Sequence, residues 1–215
     1  MLSRTYNRYN NQSKHLIIYT YKMEHNNTEF SDDYVNMVDT ASRTKIDSSL
    51  ETLLKNRPDI INIRGYKNRT PLMVVCGAWP WKCGDHTPSH DENASKILID
   101  AGADIHLTDD DGCTALYYAL TYGLMHINNF IKAGMSLDET LHKMIYMMKN
   151  YRMGAHPMDV HERLLEYAKE LDDENDDESD DKCNECDHKC KKTAEQYRNI
   201  AKYIEQWFNK QISEK

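Results

Sequence analysis

The chain has 215 residues, room for one sizeable core or two small ones, and carries 35 Asp and Glu against 27 Lys and Arg, a net charge of −8. That balance argues against nucleic acid or an anionic membrane as partner. Eight of the ten residues 172–181 are acidic, however, so the remainder is close to neutral. Six cysteines without a secretory leader point to free thiols or metal ligands rather than disulfides. No apolar run nears the roughly 20 residues of a membrane span, so the expectation is a cytoplasmic, non-secreted monomer.

From the N-terminus, residues 1–30 are polar and lack useful periodicity, and are expected to be poorly ordered. Met23 offers an alternative translation start. Two helical patterns follow, one with Tyr34, Val35, Met37 and Val38 and one with Leu50, Leu53 and Leu54. They predict a helix pair over residues 31–64.

The chain then repeats itself. Leu53-Leu54, Ile60, Ile63 and Thr70-Pro71-Leu72 align without gaps on Ile97-Leu98, Asp104, Leu107 and Thr114-Ala115-Leu116, at a constant offset of 44. Thr at a helix start can cap free N–H groups, and Pro at the first helical position loses no bond. Gly102 sits where a left-handed residue ends a helix, and Asp111-Gly112 is a tight-turn dipeptide. Leu72, Val75 and Cys76, and then Leu116, Ala119 and Leu120, fall at helical spacing on one face.

Thr70-Pro71-Leu72, Gly102-Ala103-Asp104-Ile105 and Asp111-Gly112-Cys113-Thr114-Ala115-Leu116 resemble the repeat signature of the ankyrin family. The family's period is about 33 residues, so residues 80–93 are read as an insertion within a repeat spanning 66–108. The next repeat covers 109–137, with Ile127, Phe130 and Ile131 on its second helix. The resemblance implies an all-α ankyrin-repeat solenoid of stacked helix–turn–helix units joined by short β-hairpin loops. Its terminal repeats, 31–64 and 138–171, are degenerate. The Asn-, Ile- and Tyr-rich composition is also similar to that of ankyrin-repeat proteins of large DNA viruses.

Beyond residue 171, the acidic stretch predicts a solvated insertion over 172–190. It lacks the Gly and terminal Glu of a helix–loop–helix calcium site. Residues 191–215 read as a C-terminal capping helix, with Ile200, Ile204 and Phe208 as its apolar stripe and Tyr203 and Trp207 as surface aromatics.

Cys183, Cys186, His188 and Cys190 are zinc-ligand types, but four within eight residues are too compact for the usual two separated pairs. No metal or cofactor is therefore expected. The alternative is a zinc-binding or thiol-dependent protein centred on these residues. His161-Glu162 opens like a helical zinc-protease motif, but Leu165 stands where its second His belongs. Cys76 and Cys113 read as buried, inert thiols, and no catalytic residue is expected.

The resemblance implies a non-enzymatic module that binds an unidentified protein through its loop tips and first helices. Carried over by position, that surface comprises Tyr66, Lys67, Arg69, Gly77 and Ala78, then Asp110, Asp111, Cys113, Thr121 and Tyr122. Trp79 and Trp81 in the insertion are either further contacts or a lid on the neighbouring helices. Tyr117 takes the place of the family's usual His. A ubiquitin-ligase adaptor is a further alternative, although no ligase-binding element follows Thr193.

Overall fold

The computed structural model describes residues 32–41, 49–78, 92–151, 154–176 and 184–214. The expected N-terminal segment, Trp79, Trp81, nearly all of the 80–93 insertion and Cys183 lie outside the described residues. In chain order the helices are α1 (Asp32–Ala41), α2 (Ser49–Asn56), α3 (Pro71–Val75), α4 (Glu92–Asp100), α5 (Ala115–Tyr122), α6 (Ile127–Lys132), α7 (Leu137–Tyr151), α8 (Pro157–Asp176) and α9 (Asn184–Ser213). Among the described residues the architecture is all-α, and no helix is long and apolar enough to cross a membrane.

The helices form two rows. In the first, α1 packs on α3, α3 on α5 and α5 on α7; in the second, α2 packs on α4 and α4 on α6. Each of α1, α3 and α5 also packs on the helix that follows it. Every short helix thus buries one face on its pair-mate and its flanks on its neighbours, since helices of 5–10 residues are marginal alone. Leu98, Leu116, Leu120, Ile127, Phe130, Leu141 and Met144 are buried in the core this creates.

Local chemistry sets the helix ends. Thr70 and Thr114 share an extended backbone (φ −85, ψ 162 and φ −86, ψ 170). Their Oγ1 atoms accept hydrogen bonds from Met73 N and Tyr117 N at 3.3 and 3.4 Å. After α4, Ala103 N donates to Leu98 O and Gly102 N to Ile99 O; after α6, Met135 N donates to Phe130 O and Gly134 N to Ile131 O. These are two copies of one glycine-terminated helix end, with φ +95 at Gly102 and +86 at Gly134.

Three expectations need correction. The loop tips contain no strands: single hydrogen bonds, Gly65 N to Arg69 O and Asp109 N to Cys113 O, close five-residue turns too short for a ladder. The 172–190 span is helical at both ends, because α8 continues to Asp176 and α9 begins at Asn184. Tyr167 and Leu171 pack against the core, and Arg198 forms an ion pair with Asp172, which ties the acidic end of α8 to α9. Trp207 is buried rather than on the surface, its ring edge-on to His142 at 4.9 Å, because α9 docks on α7. Ile131, on the second helix of the 109–137 repeat, is exposed while Ile127 and Phe130 are buried.

Cys76 and Cys113 are buried as free thiols. Burial pushes the Cys113 thiol up to about 12, with Asp109 adding to the effect, and pushes Cys76 higher still. Burial likewise raises the Tyr34, Tyr117 and Tyr118 phenols. All five groups are held protonated in the native state. Their contribution to stability is whole below pH 9.0, the ordinary thiol value, and is lost progressively as pH climbs toward 12. Urea midpoints should therefore fall steadily between pH 9 and 11; a midpoint flat across that window would refute the protonated-core assignment.

Candidate functional site

The two tips lock onto one another. Lys67 and Asn68 adopt left-handed backbone, φ +53 and +58, which non-glycine residues seldom do. The neighbouring turn holds them there. Asp110 N donates to Lys67 O at 2.9 Å, Asn68 Nδ2 to Asp110 Oδ1 at 2.6 Å and Lys67 Nζ to Asp111 Oδ2 at 2.9 Å. The Arg64 guanidinium bridges Asn68 O at 2.5 Å and Thr108 O at 2.9 Å. The Asp111 hydrogen bond raises the Lys67 pKa, so this lysine stays charged at neutral pH.

Beneath the tips lies Asp109, whose side chain is 0% exposed. Its Oδ1 accepts from Asp111 N at 3.0 Å and Cys113 N at 2.9 Å; its Oδ2 accepts from Tyr118 Oη at 2.5 Å and Arg69 Nε at 3.4 Å. Arg69 Nη1 donates onward to Ala78 O at 3.2 Å, and its guanidinium lies over the Tyr118 ring, 5.2 Å from the centroid. A buried carboxylate is tolerable only when all its lone pairs are engaged in this way.

Above this buried node an aromatic and charged face is open to solvent. Tyr122 ends α5 and stacks on Tyr118 with ring centroids 6.5 Å apart. On α7, Lys143 Nζ donates to Asp111 O at 2.6 Å and sits 5.2 Å from the Tyr146 ring centroid. Tyr146 meets Tyr151 at 6.1 Å. Tyr122, Tyr146 and Tyr151 remain 49, 50 and 57% exposed. Exposed tyrosines next to charged tips are the composition of a protein-contact patch.

The structure distributes the sequence-derived site residues unevenly. Tyr66 and Lys67 are half-buried, Asp111 is half-buried, and Asp110 and Tyr122 are exposed. Arg69 must be withdrawn as a contact residue: it is only 9% exposed and engaged by Asp109, Ala78 and Tyr118. Ala78, Cys113 and Thr121 are buried as well, because α3 and α5 are so short that their ends are covered by adjacent helices. Trp79 and Trp81 cannot be placed, lying outside the described residues.

Sequence reasoning overlooks Asp109, Lys143, Tyr146 and Tyr151. For Asp109 the Asp-x-x-Gly-x-Thr pattern is the available signal, since an Asp side chain caps a turn two residues on. For α7, the Lys143 and Tyr146 spacing of three residues marks one helix face.

Elsewhere, Ser95 Oγ lies 2.9 Å from His126 Nδ1 and accepts from Asn129 Nδ2 at 2.9 Å. Ser95 and His126 are both fully buried, so this pair ties α4 to the turn that opens α6 rather than facing a surface. A shallow cavity of about 410 Å³ between α2 and α4 is lined by Glu51, Leu54, Lys55, Lys96, Ile97 and Asp100, with Lys96 paired to Asp100 at 2.6 Å. Among the described residues no three or more His, Cys, Asp or Glu side chains cluster as metal ligands. Comparison with protein-family models, with curated proteins and with solved structures yields no match.

Proposed function

We propose that this chain is a non-enzymatic protein-interaction module, built as an ankyrin-like solenoid, that holds its partner on the face formed by the loop tips, α5 and α7. The composition fits a viral source, in which case the partner is a host protein. The observation that carries the reading is the set of exposed tyrosines on α5 and α7, Tyr122, Tyr146 and Tyr151, with Lys143 joining Tyr146 to the Asp110–Asp111 tip. Rigid aromatic side chains give large contact area at small entropic loss. The Lys67–Asp111 pair, with both side chains about one-third exposed, is worth about 1 kcal/mol or less. A partner can therefore re-pair these charges at little expense.

Support for the solenoid comes from the duplicated details. The Thr caps and the tip-closing bonds recur at the sequence offset of 44, and the glycine helix ends recur 32 apart, at Gly102 and Gly134. Equivalent positions also touch across the stack, as Lys67 does Asp111 and Arg64 does Thr108.

A photo-crosslinking amino acid at Tyr122, Tyr146 or Lys96 tests the proposal in the full chain. Capture of the same protein from Tyr122 and Tyr146, and not from Lys96 on the second row, is the expected result. Tyr122→Ala with Tyr146→Ala should then weaken that complex by about 30-fold or more. Equal crosslinking from all three positions, or unchanged affinity in the double variant, would overturn the assignment of this face.

A further inference from the structure

The pair of interlocked tips has an open end. At the closed join, Lys67 O accepts from Asp110 N at 2.9 Å, and the side chains of Lys67 and Asn68 meet those of Asp111 and Asp110. The offset of 44 makes Asp111 the counterpart of Lys67, so Asp111 O is the acceptor that a third tip would engage. No third tip follows. Twelve residues lie between Gly102 and the first residue of α5, but only two between Gly134 and the first residue of α7. The stretch that would form a tip is wound into α7 instead.

Asp111 O is covered by a side chain. Lys143 Nζ donates to it at 2.6 Å, and a Cβ added at Gly112 would lie 3.0 Å from the same ammonium. Lys143 stands nine residues past Gly134, the place that Asp111 holds past Gly102. A flexible cation thus does what a backbone N–H does at the closed join. The ammonium also rests 5.2 Å from the Tyr146 ring centroid, and Tyr146 meets Tyr151 with ring planes 61° apart. Hydrogen bonding to Tyr146 holds the Tyr151 phenol up and the Asp111 carboxylate adds to it, so this ring lies in the field of the tip.

The charges without a cationic partner here are negative. Lys67 is engaged by Asp111, whereas the exposed Asp110 meets only the neutral amide of Asn68. Glu139, exposed one turn before Lys143 on α7, makes no side-chain hydrogen bond or ion pair among the described residues.

We propose that this open end receives an arginine-bearing turn of the partner protein, which displaces Lys143 and continues the stack of tips. A backbone N–H of that turn donates to Asp111 O, repeating the bond of the closed join. Its guanidinium takes the place of the ammonium beside Tyr146 and Tyr151, with the tip carboxylates as counter-charge. Arginine suits the place better than lysine, because its planar group stacks on aromatic rings and is more weakly hydrated. Lys143 gives way readily, since an exposed cation–π contact and one hydrogen bond are weak. The inference rests on the protein-interaction reading and names the chemistry of the partner.

A library of short disulfide-closed loops, displayed on phage and panned against the full chain, tests the site. The loops retained should carry arginine, and replacing that arginine by lysine should weaken binding about threefold or more. Asp110→Asn, which keeps Oδ1 as the acceptor for Asn68, should also weaken it about threefold. Lys143→Met vacates Asp111 O and removes a like charge, so it should strengthen binding about threefold or more. A lysine that itself touched the partner would give the opposite sign. Far-UV circular dichroism checks that each variant keeps its helices, and Lys143→Gln provides a second reading of the same sign. Weaker binding in both Lys143 variants, retained loops without arginine, or no loop retained at all would overturn the proposal. Capture of one protein from Tyr122 and Tyr146 in the crosslinking experiment, alongside any of those results, removes the arginine turn and leaves the interaction module standing.

Discussion

Asp109→Ala is expected to lower the free energy of unfolding by about 3–5 kcal/mol, measured as the urea midpoint at pH 7. The size follows from what the carboxylate holds. Removing it leaves the buried backbone N–H of Cys113 and the half-buried one of Asp111 without their acceptor. It also takes the buried counter-ion from the Arg69 guanidinium, whose side chain is 11% exposed, and the acceptor from the Tyr118 hydroxyl. Tyr118→Phe deletes a single hydrogen bond from the same node and should lose only about 1 kcal/mol. Replacing Arg69 by Met in the Asp109→Ala background should recover part of the loss, because the largely buried cation is then removed along with its buried carboxylate. An Asp109→Ala effect below about 1 kcal/mol would mean that the tips are held by the Lys67–Asp111 and Asn68–Asp110 contacts instead.

Gly77→Ala should destabilise by about 2–4 kcal/mol, for two separable reasons. The backbone there has φ +109, a conformation open to glycine and strained for any side chain. An added Cβ would also lie 2.6 Å from Tyr122 Cβ, on the backbone-proximal and least movable part of that side chain. Gly102→Ala is the control. It has a similar φ, +95, but nothing within 4 Å of the added carbon, so it should carry only the conformational part, about 1 kcal/mol. Equal losses at the two sites would show that Tyr122 is loosely placed. The predicted inequality ties the exposed tyrosine to the close approach of α5 and the end of α3. It also makes Gly77→Ala a variant that disturbs Tyr122 without altering any of the exposed tyrosines or Lys143.

The repeat register is legible in the amino-acid order because its signals are short-range. A Thr caps the N–H three residues on, and a glycine ends its own helix, so Thr70, Thr114 and Gly102 act within one turn of chain wherever that turn is placed. The hydrophobic spacing of Leu72 and Val75, or of Leu116 and Leu120, likewise states which side of a helix is buried. Exposure at the tips is harder to read. Arg69 looks like a surface cation, and only the arrival of Asp109 from 40 residues away, with Tyr118 beneath its guanidinium, turns it inward. The spacing of Lys143 and Tyr146 marks one face of α7, but not whether another helix covers that face.

The C-terminal end makes the same division. Heavy charge over residues 172–181 argues for a solvated chain if each residue is weighed alone, yet α8 stays helical to Asp176 because Leu171 and Tyr167 pack on the core and Arg198 pairs with Asp172. Trp207 is covered for a related reason, since α9 lies against α7 and His142. All-α content, the caps and the offset of 44 follow from interactions within a few residues of chain, which composition and spacing express directly. Which polar side chains are swallowed and which tyrosines stay open depend on where helices distant in sequence meet. Those meetings are set by the packing of the whole stack, and no local pattern encodes them.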